Sequence, residues 1–106
     1  MTVFRLMLVT VPHRELAGQI ARALVEERLA ACVNVVPGLR SIYRWRGQVE
    51  EDDELLLIIK TRQERVADVE ARVIALHSYD TPEVISLAIE AGSARYLDWL
   101  AGQVEE

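Results

Sequence analysis

Hydrophobic positions change period several times along the chain, and each change marks a predicted element. Val3 to Val11 is apolar except for Arg5 and Thr10, the pattern of a strand covered on both faces. Pro12 ends it. From Arg14 the period becomes helical. Leu16, Ala17, Ile20, Ala21 and Leu24 share one stripe, with Glu15, Gln19, Arg22 and Glu26 opposite. Ala31 to Val36 returns to strand character, Pro37-Gly38 reads as a bulge or bend, and Leu39 to Arg46 resumes the strand. Gly47 marks a hairpin tip, and Val49 to Thr61 is the returning strand, with Leu55 to Ile59 as its buried part.

Thr61-Arg-Gln-Glu64 has the spacing of a capping box, in which the threonine oxygen accepts from the Glu64 amide. A helix with Val66, Val69, Val73 and Leu76 on one stripe is expected to follow. His77 to Pro82 reads as a loop, Glu83 to Glu90 as a fourth strand, and Ala94 to Gln103 as a last helix that Ser93 can cap. Strand, helix, strand, strand, helix, strand is the split β-α-β of ferredoxin-like α+β folds: an antiparallel sheet with helices on one face, here with an extra C-terminal helix. Right-handed crossovers put both long helices on the same side. The other face then lacks a cover within the chain, which predicts association through the sheet.

The chain has 106 residues, and the expectation is one domain over 1–106. Net charge is −5, which argues against a nucleic-acid partner, since such partners select a basic face. A single cysteine excludes an internal disulfide and fits a reducing compartment. No basic region precedes an apolar stretch near Met1, and no apolar run is long enough to span a bilayer. The expected location is therefore the cytoplasm, with no membrane partner.

Ala23-Leu-Val-Glu-Glu-Arg-Leu-Ala-Ala-Cys-Val-Asn-Val-Val-Pro-Gly38 resembles the signature of the CutA divalent-cation tolerance family. So do Ser41-Ile-Tyr-Arg-Trp-Arg-Gly47, Leu56-Leu-Ile-Ile-Lys-Thr61, His77-Ser-Tyr-Asp-Thr-Pro-Glu83 and Tyr96-Leu-Asp-Trp-Leu100, in the same order along nearly the whole chain. The resemblance implies a tight homotrimer similar to PII signalling proteins, with long ribbons reaching onto neighbouring subunits. It also implies a role in tolerance of copper and other divalent cations, without a defined enzymatic activity. The chain departs from the family's pattern at Ser78, where a proline usually follows the motif histidine. It departs again at Val9 and Leu76, where some relatives place a cysteine and a second histidine proposed as metal ligands.

The candidate metal ligands are His77, Asp80 and Glu83, which crowd one loop, and Cys32, the one soft donor. Cu(II) or another weakly bound divalent cation is the expected ligand, at clefts between subunits. The spacing matches neither CxxC nor HExxH, and a lone cysteine flanked by Ala30, Ala31 and Val33 is more often a core residue. The run Glu50 to Glu54 reads as a solvated ribbon edge that meets Arg40, Arg44 or Arg46. Tyr43, Arg44 and Trp45 are the candidate interface residues, because aromatic and arginine side chains carry much of interface energy.

A second reading is a PII-like regulator binding a small anion or nucleotide at Lys60 and Arg62, beside a helix N-terminus. An acylphosphatase-like hydrolase would need an anion-cradling loop. Val11-Pro-His-Arg14 is the nearest place, and its proline removes a donor.

Overall fold

The structure is a computed structural model that describes residues 3–105. Met1, Thr2 and Glu106 lie outside the described residues, and with them the first residues of the segment searched for a leader. The elements are β1 (Phe4–Val11), α1 (Arg14–Glu26), β2 (Cys32–Trp45), β3 (Gln48–Arg62), a 3-10 turn (Gln63–Arg65), α2 (Val66–Leu76), β4 (Ile85–Ala88) and α3 (Ala94–Gln103). The sheet order is β2-β3-β1-β4, and every pairing is antiparallel. This is the ferredoxin-like α+β architecture with one additional helix.

Helices α1 and α2 lie on one face. Leu16, Ala17, Ile20 and Leu24 of α1 and Val69 and Val73 of α2 form one buried cluster with Met7, Val9, Val11, Leu55, Leu57 and Ile59 of the sheet. Helix α1 starts at His13, whose Nδ1 accepts from the Leu16 amide at 3.3 Å. It ends in a Schellman arrangement: Leu29 N–H donates to Leu24 O, Arg28 N–H donates to Val25 O, and Arg28 takes φ +60°.

The opposite face is apolar and open. Register pairs Leu6 with Leu87, Leu8 with Ile85 and Ile58, and Leu56 with Val36, so these side chains share that face. Leu6, Leu8, Leu56 and Ile58 are half-buried, and Val36, Ile85 and Leu87 are exposed. The largely apolar run in β1 predicts cover on both faces, and within this chain one face is fully covered.

Helix α3 covers the end of the open face, where Leu100 and Val104 are buried with Ala31 against Phe4. Three arginines hold its C-terminal end. Arg62 donates to Ala101 O at 3.3 Å, Arg28 to Gly102 O at 3.0 Å and Arg65 to Glu105 O at 2.8 Å. The Ala101 and Gly102 carbonyls lie in the last turn and lack intrahelical donors, and cations there oppose the helix dipole, while the Glu105 contact fixes the segment just after it.

Two sequence expectations are corrected. Thr61 does not cap a helix. It stays in β3 opposite Arg5, fully buried, and its hydroxyl donates to Leu29 O at 2.6 Å. The cap of the following turn is Arg62, which has no side-chain capping bond, and Glu64 pairs with Arg62 at 2.9 Å. Tertiary burial of Thr61 outweighs the local capping spacing. The fourth strand is shorter than Glu83 to Glu90, because β4 is an edge strand with β1 as its partner. Tyr96 and Trp99 of α3 are exposed and stack on one another, with ring centroids 5.5 Å apart.

Thr61→Val is expected to lower unfolding free energy by about 1–3 kcal/mol, because it leaves the Leu29 carbonyl without its donor. Thr61→Ser should lose less, and Glu64→Ala should stay within about 0.5 kcal/mol because its ion pair is exposed. Urea unfolding of the three variants checks the order, and a larger loss for Glu64→Ala would restore the capping reading.

Candidate functional site

Strands β2 and β3 run on beyond the sheet. β1 pairs with β3 from Leu55 to Arg62, whereas β2 follows β3 out to the Trp45–Gln48 pair. The register shifts between Val36 and Leu39, so Pro37-Gly38 is a bulge, with Gly38 at φ +83°. At the tip Arg46 and Gly47 both take positive φ, +51° and +78°, the backbone of a type I′ turn. The Arg46 guanidinium lies 5.5 Å from the Trp45 ring centroid, a cation–π contact. On one side of the ribbon Arg40 bonds Glu51 at 2.7 Å and approaches Asp53 at 3.7 Å. These pairs are exposed and contribute little stability.

Where the ribbon leaves the sheet it faces the loop after α2, and a cleft of about 730 Å³ opens between them. Tyr43, Trp45 and Glu54 line its ribbon side, and Tyr79, Asp80 and Glu83 its loop side. The loop is held by His77. Its Nδ1 accepts from the Tyr79 amide at 3.1 Å, so Nε2 carries the proton and donates to Thr10 O at 2.8 Å. The His77 and Tyr79 rings also touch, with centroids 4.6 Å apart.

Two tyrosine–carboxylate bonds tie the cleft together. Tyr79 Oη donates to Glu54 Oε2 at 2.7 Å, and Tyr43 Oη donates to Asp52. Glu54 is buried, although it belongs to the acidic run. Burial, and then the bond to Glu54 and its charge, raise the Tyr79 phenol well above its ordinary value. The bond to Asp52 is the main cause that pushes Tyr43 up to about 12.

The structure brings some of the sequence candidates together and separates others. Asp80 and Glu83 line the cleft, and Tyr43 and Trp45 form its opposite wall. His77 stands behind the loop with both ring nitrogens bonded. Arg44 reaches the Gly47 carbonyl at the hairpin tip, at 3.5 Å. Cys32 begins β2 and is half-buried on the open sheet face beside Lys60, whose Nζ lies 3.8 Å from its sulfur. Lys60 also donates to Asn34, and Arg62 is bonded to Glu64 and to α3. Among the described residues no three His, Cys, Asp or Glu side chains are arranged to hold a metal ion. Sequence reasoning missed Glu54, the innermost carboxylate of the cleft. Its one signal is its place beside Leu55, where the acidic run meets the buried run.

With the geometry in place, known proteins give the context. The sequence model described as CutA1 divalent ion tolerance protein matches residues 5–103. The divalent-cation tolerance protein CutA of Thermus thermophilus is 58% identical over 94 residues, 89% of this chain and 91% of that protein. The solved structure of a divalent cation tolerance protein from that organism superposes with a TM-score of 0.94 at 54% identity, covering 96% of this chain and 99% of that one. A structure from Archaeoglobus fulgidus, described as a periplasmic divalent cation tolerance protein CutA, gives a TM-score of 0.93 at 41% identity, with 96% and 99% covered. No helix among the described residues is long and apolar enough to cross a membrane.

A raised phenol pKa means the folded state favours the neutral tyrosine. The stabilisation is complete below the unfolded-state value of about 10 and is lost as pH rises through the folded-state values. Absorbance titration of the phenolate band is therefore expected to place the Tyr43 and Tyr79 midpoints above the ordinary tyrosine value of about 10. In Glu54→Gln the Tyr79 midpoint should fall only part of the way, because the charge is gone while the burial, the largest cause, remains. An unchanged midpoint would remove Glu54 as a cause.

Proposed function

Because this chain belongs to the CutA1 divalent ion tolerance family, we propose that it is a non-enzymatic homotrimer that contributes to tolerance of copper and other divalent cations by binding them weakly at clefts between subunits. The observation that carries this reading is the cleft itself, which places the carboxylates of Asp80 and Glu83 opposite an overhanging ribbon. A single subunit offers too few donors in one place, so a neighbouring subunit completes the coordination. Cu(II) stands at the top of the divalent affinity order for a given set of donors and is the probe of choice. His77 joins the ligands only by giving up one of its two bonds, and we assign it the role of holding the Tyr79 loop. Cys32, on the open sheet face, enters a shared site only as an interface residue.

The open apolar face supports the homotrimer. Leu8, Ile58, Ile85 and their neighbours form a contiguous patch of the kind that marks association surfaces. Tyr43, Arg44 and Trp45 at the end of the ribbon are the anchors of that assembly. The single free cysteine fits a reducing, cytoplasmic setting.

Sedimentation equilibrium is expected to return three times the chain mass of 12.0 kDa. Leu8→Glu or Ile58→Glu should return the monomer mass, since each buries a charge without a partner at the interface. Calorimetric titration of Cu(II) should give weak binding that Asp80→Asn with Glu83→Gln reduces about tenfold, the loss of about 1.4 kcal/mol. Equal binding by wild type and this double variant would overturn the assigned ligands.

A further inference from the structure

The chain's one cysteine and its one lysine stand opposite each other. Lysine and arginine together number 12, and Lys60 alone is lysine. Cys32 and Lys60 are direct partners across the β2–β3 ladder, at the corner of the open face where β2 begins. Opposite residues of an antiparallel pair hold their Cβ atoms about 5 Å apart on the same face. The Lys60 Nζ lies 3.8 Å from the Cys32 sulfur and also donates to Asn34. The Asn34 Oδ1 lies 4.0 Å from that sulfur. Sulfur, ammonium and amide oxygen thus form a closed triangle on two paired strands.

The ordinary roles of the two residues do not account for this contact. Among the described residues no carboxylate pairs with Lys60. Cys32 is half-buried and belongs to neither buried cluster, so it is not a core side chain. Among the described residues no set of His, Cys, Asp or Glu gathers around it to hold a metal ion. Every other basic position of the chain is arginine, whose guanidinium stays protonated. A primary amine differs in kind: once it gives up its proton, its nitrogen has a lone pair that can form a covalent bond. The one side chain with that capacity is the one placed against the thiol.

We propose that Cys32 and Lys60 form a redox modification site, in which a single oxygen atom comes to bridge Sγ and Nζ. Dioxygen is the oxidant and takes up four electrons. Two come from sulfur, as its S–H bond is replaced by S–O, and two from nitrogen, as one N–H bond is replaced by N–O. One oxygen atom becomes the bridge. The other leaves as water with the thiol hydrogen and one amine hydrogen. Lys60 reacts as the neutral amine, after its ammonium proton passes to solvent. The 3.8 Å separation accommodates one intervening atom, and strand pairing holds both side chains in place. Dioxygen is small and apolar, so it reaches a thiol on an apolar face. A neighbouring copy lying over that face leaves the pair intact, because both residues belong to one chain. Two dithiol molecules return the four electrons, restore thiol and amine, and release the bridging oxygen as water. The bridge ties β2 to β3 and removes the ammonium of Lys60 from the open face. In a reducing setting the pair rests open, and the bridge reports oxidising conditions. This inference does not depend on the divalent-cation reading.

The test is intact-mass measurement and tryptic mapping of the full chain in its native assembly. One sample is held in aerated buffer with a metal chelator, and the other is kept anaerobic with dithiothreitol. The aerated chain is expected to gain the mass of one oxygen less two hydrogens, to resist trypsin after Lys60, and to yield a peptide pair joined through Cys32 and Lys60. Dithiothreitol should reverse all three changes. Lys60→Arg keeps the charge and Cys32→Ser the size, and both should lose this mass shift completely. An unchanged mass in the aerated wild type overturns the proposal. So does addition of oxygen without loss of hydrogen, equal in wild type and Lys60→Arg, because the thiol then oxidises alone. A disulfide between two copies overturns it as well. The wild-type map decides the matter even where a variant fails to fold. With metal chelated throughout, failure here leaves the cation reading standing.

Discussion

Strand β3 carries hydrogen-bond ladders on both sides from Leu56 to Lys60, and on the β2 side alone as it runs out from Glu54 to Gln48. Its inner half is a central strand, which is why Leu55, Leu57, Ile59 and Thr61 are buried beneath the two helices. Its outer half has one partner and no cover, and it is charged where the inner half is apolar. The difference in pairing creates the ribbon. The ribbon in turn creates the cleft, because an overhanging strand pair must pass over whatever lies at the sheet's edge. Here that is the loop after α2. Glu54 sits at the joint, the last acidic residue before the buried run, and so it is the one drawn inside.

The same economy of elements leaves one sheet face bare. Two helices cover one face, and α3 reaches the end of the other, where three arginines fasten its C-terminal carbonyls. The residues left open are apolar, so hydrophobic association is the cheapest way to remove them from water. Assembly would bring a neighbour close to the ribbon and the cleft.

The element order was legible because hydrophobic periodicity is a local property, and it separates strands from helices wherever one face is buried. The bulge at Pro37-Gly38 and the tip at Gly47 were legible for a similar reason, since backbone sterics confine proline and positive φ to few places. Thr61 misled because two local roles fit one sequence, and burial against Leu29 decided between them. Of the candidate ligands, Asp80 and Glu83 were visible as a polar loop, and they do line the cleft. His77 looked equally available, but its bonds to Thr10 and Tyr79 depend on residues distant in sequence or on loop shape. Cys32 and the loop were grouped by chemistry alone, and the sheet register places the cysteine beside Lys60 instead.

By itself the sequence determined the succession of strands and helices, the faces that α1 and α2 bury, the length of the hairpin and the family to which the chain belongs. The first three follow from spacing along the backbone, which short-range sterics and side-chain period enforce, and the family follows from the identity of the residues in its motifs. Only the tertiary structure decided which polar groups meet. It joined Glu54 to Tyr79, Asp52 to Tyr43 and three arginines to the end of α3, and it removed His77 from the list of free donors. Most of these contacts join residues far apart in the chain. Their partners are chosen by strand register and burial, which no local pattern encodes.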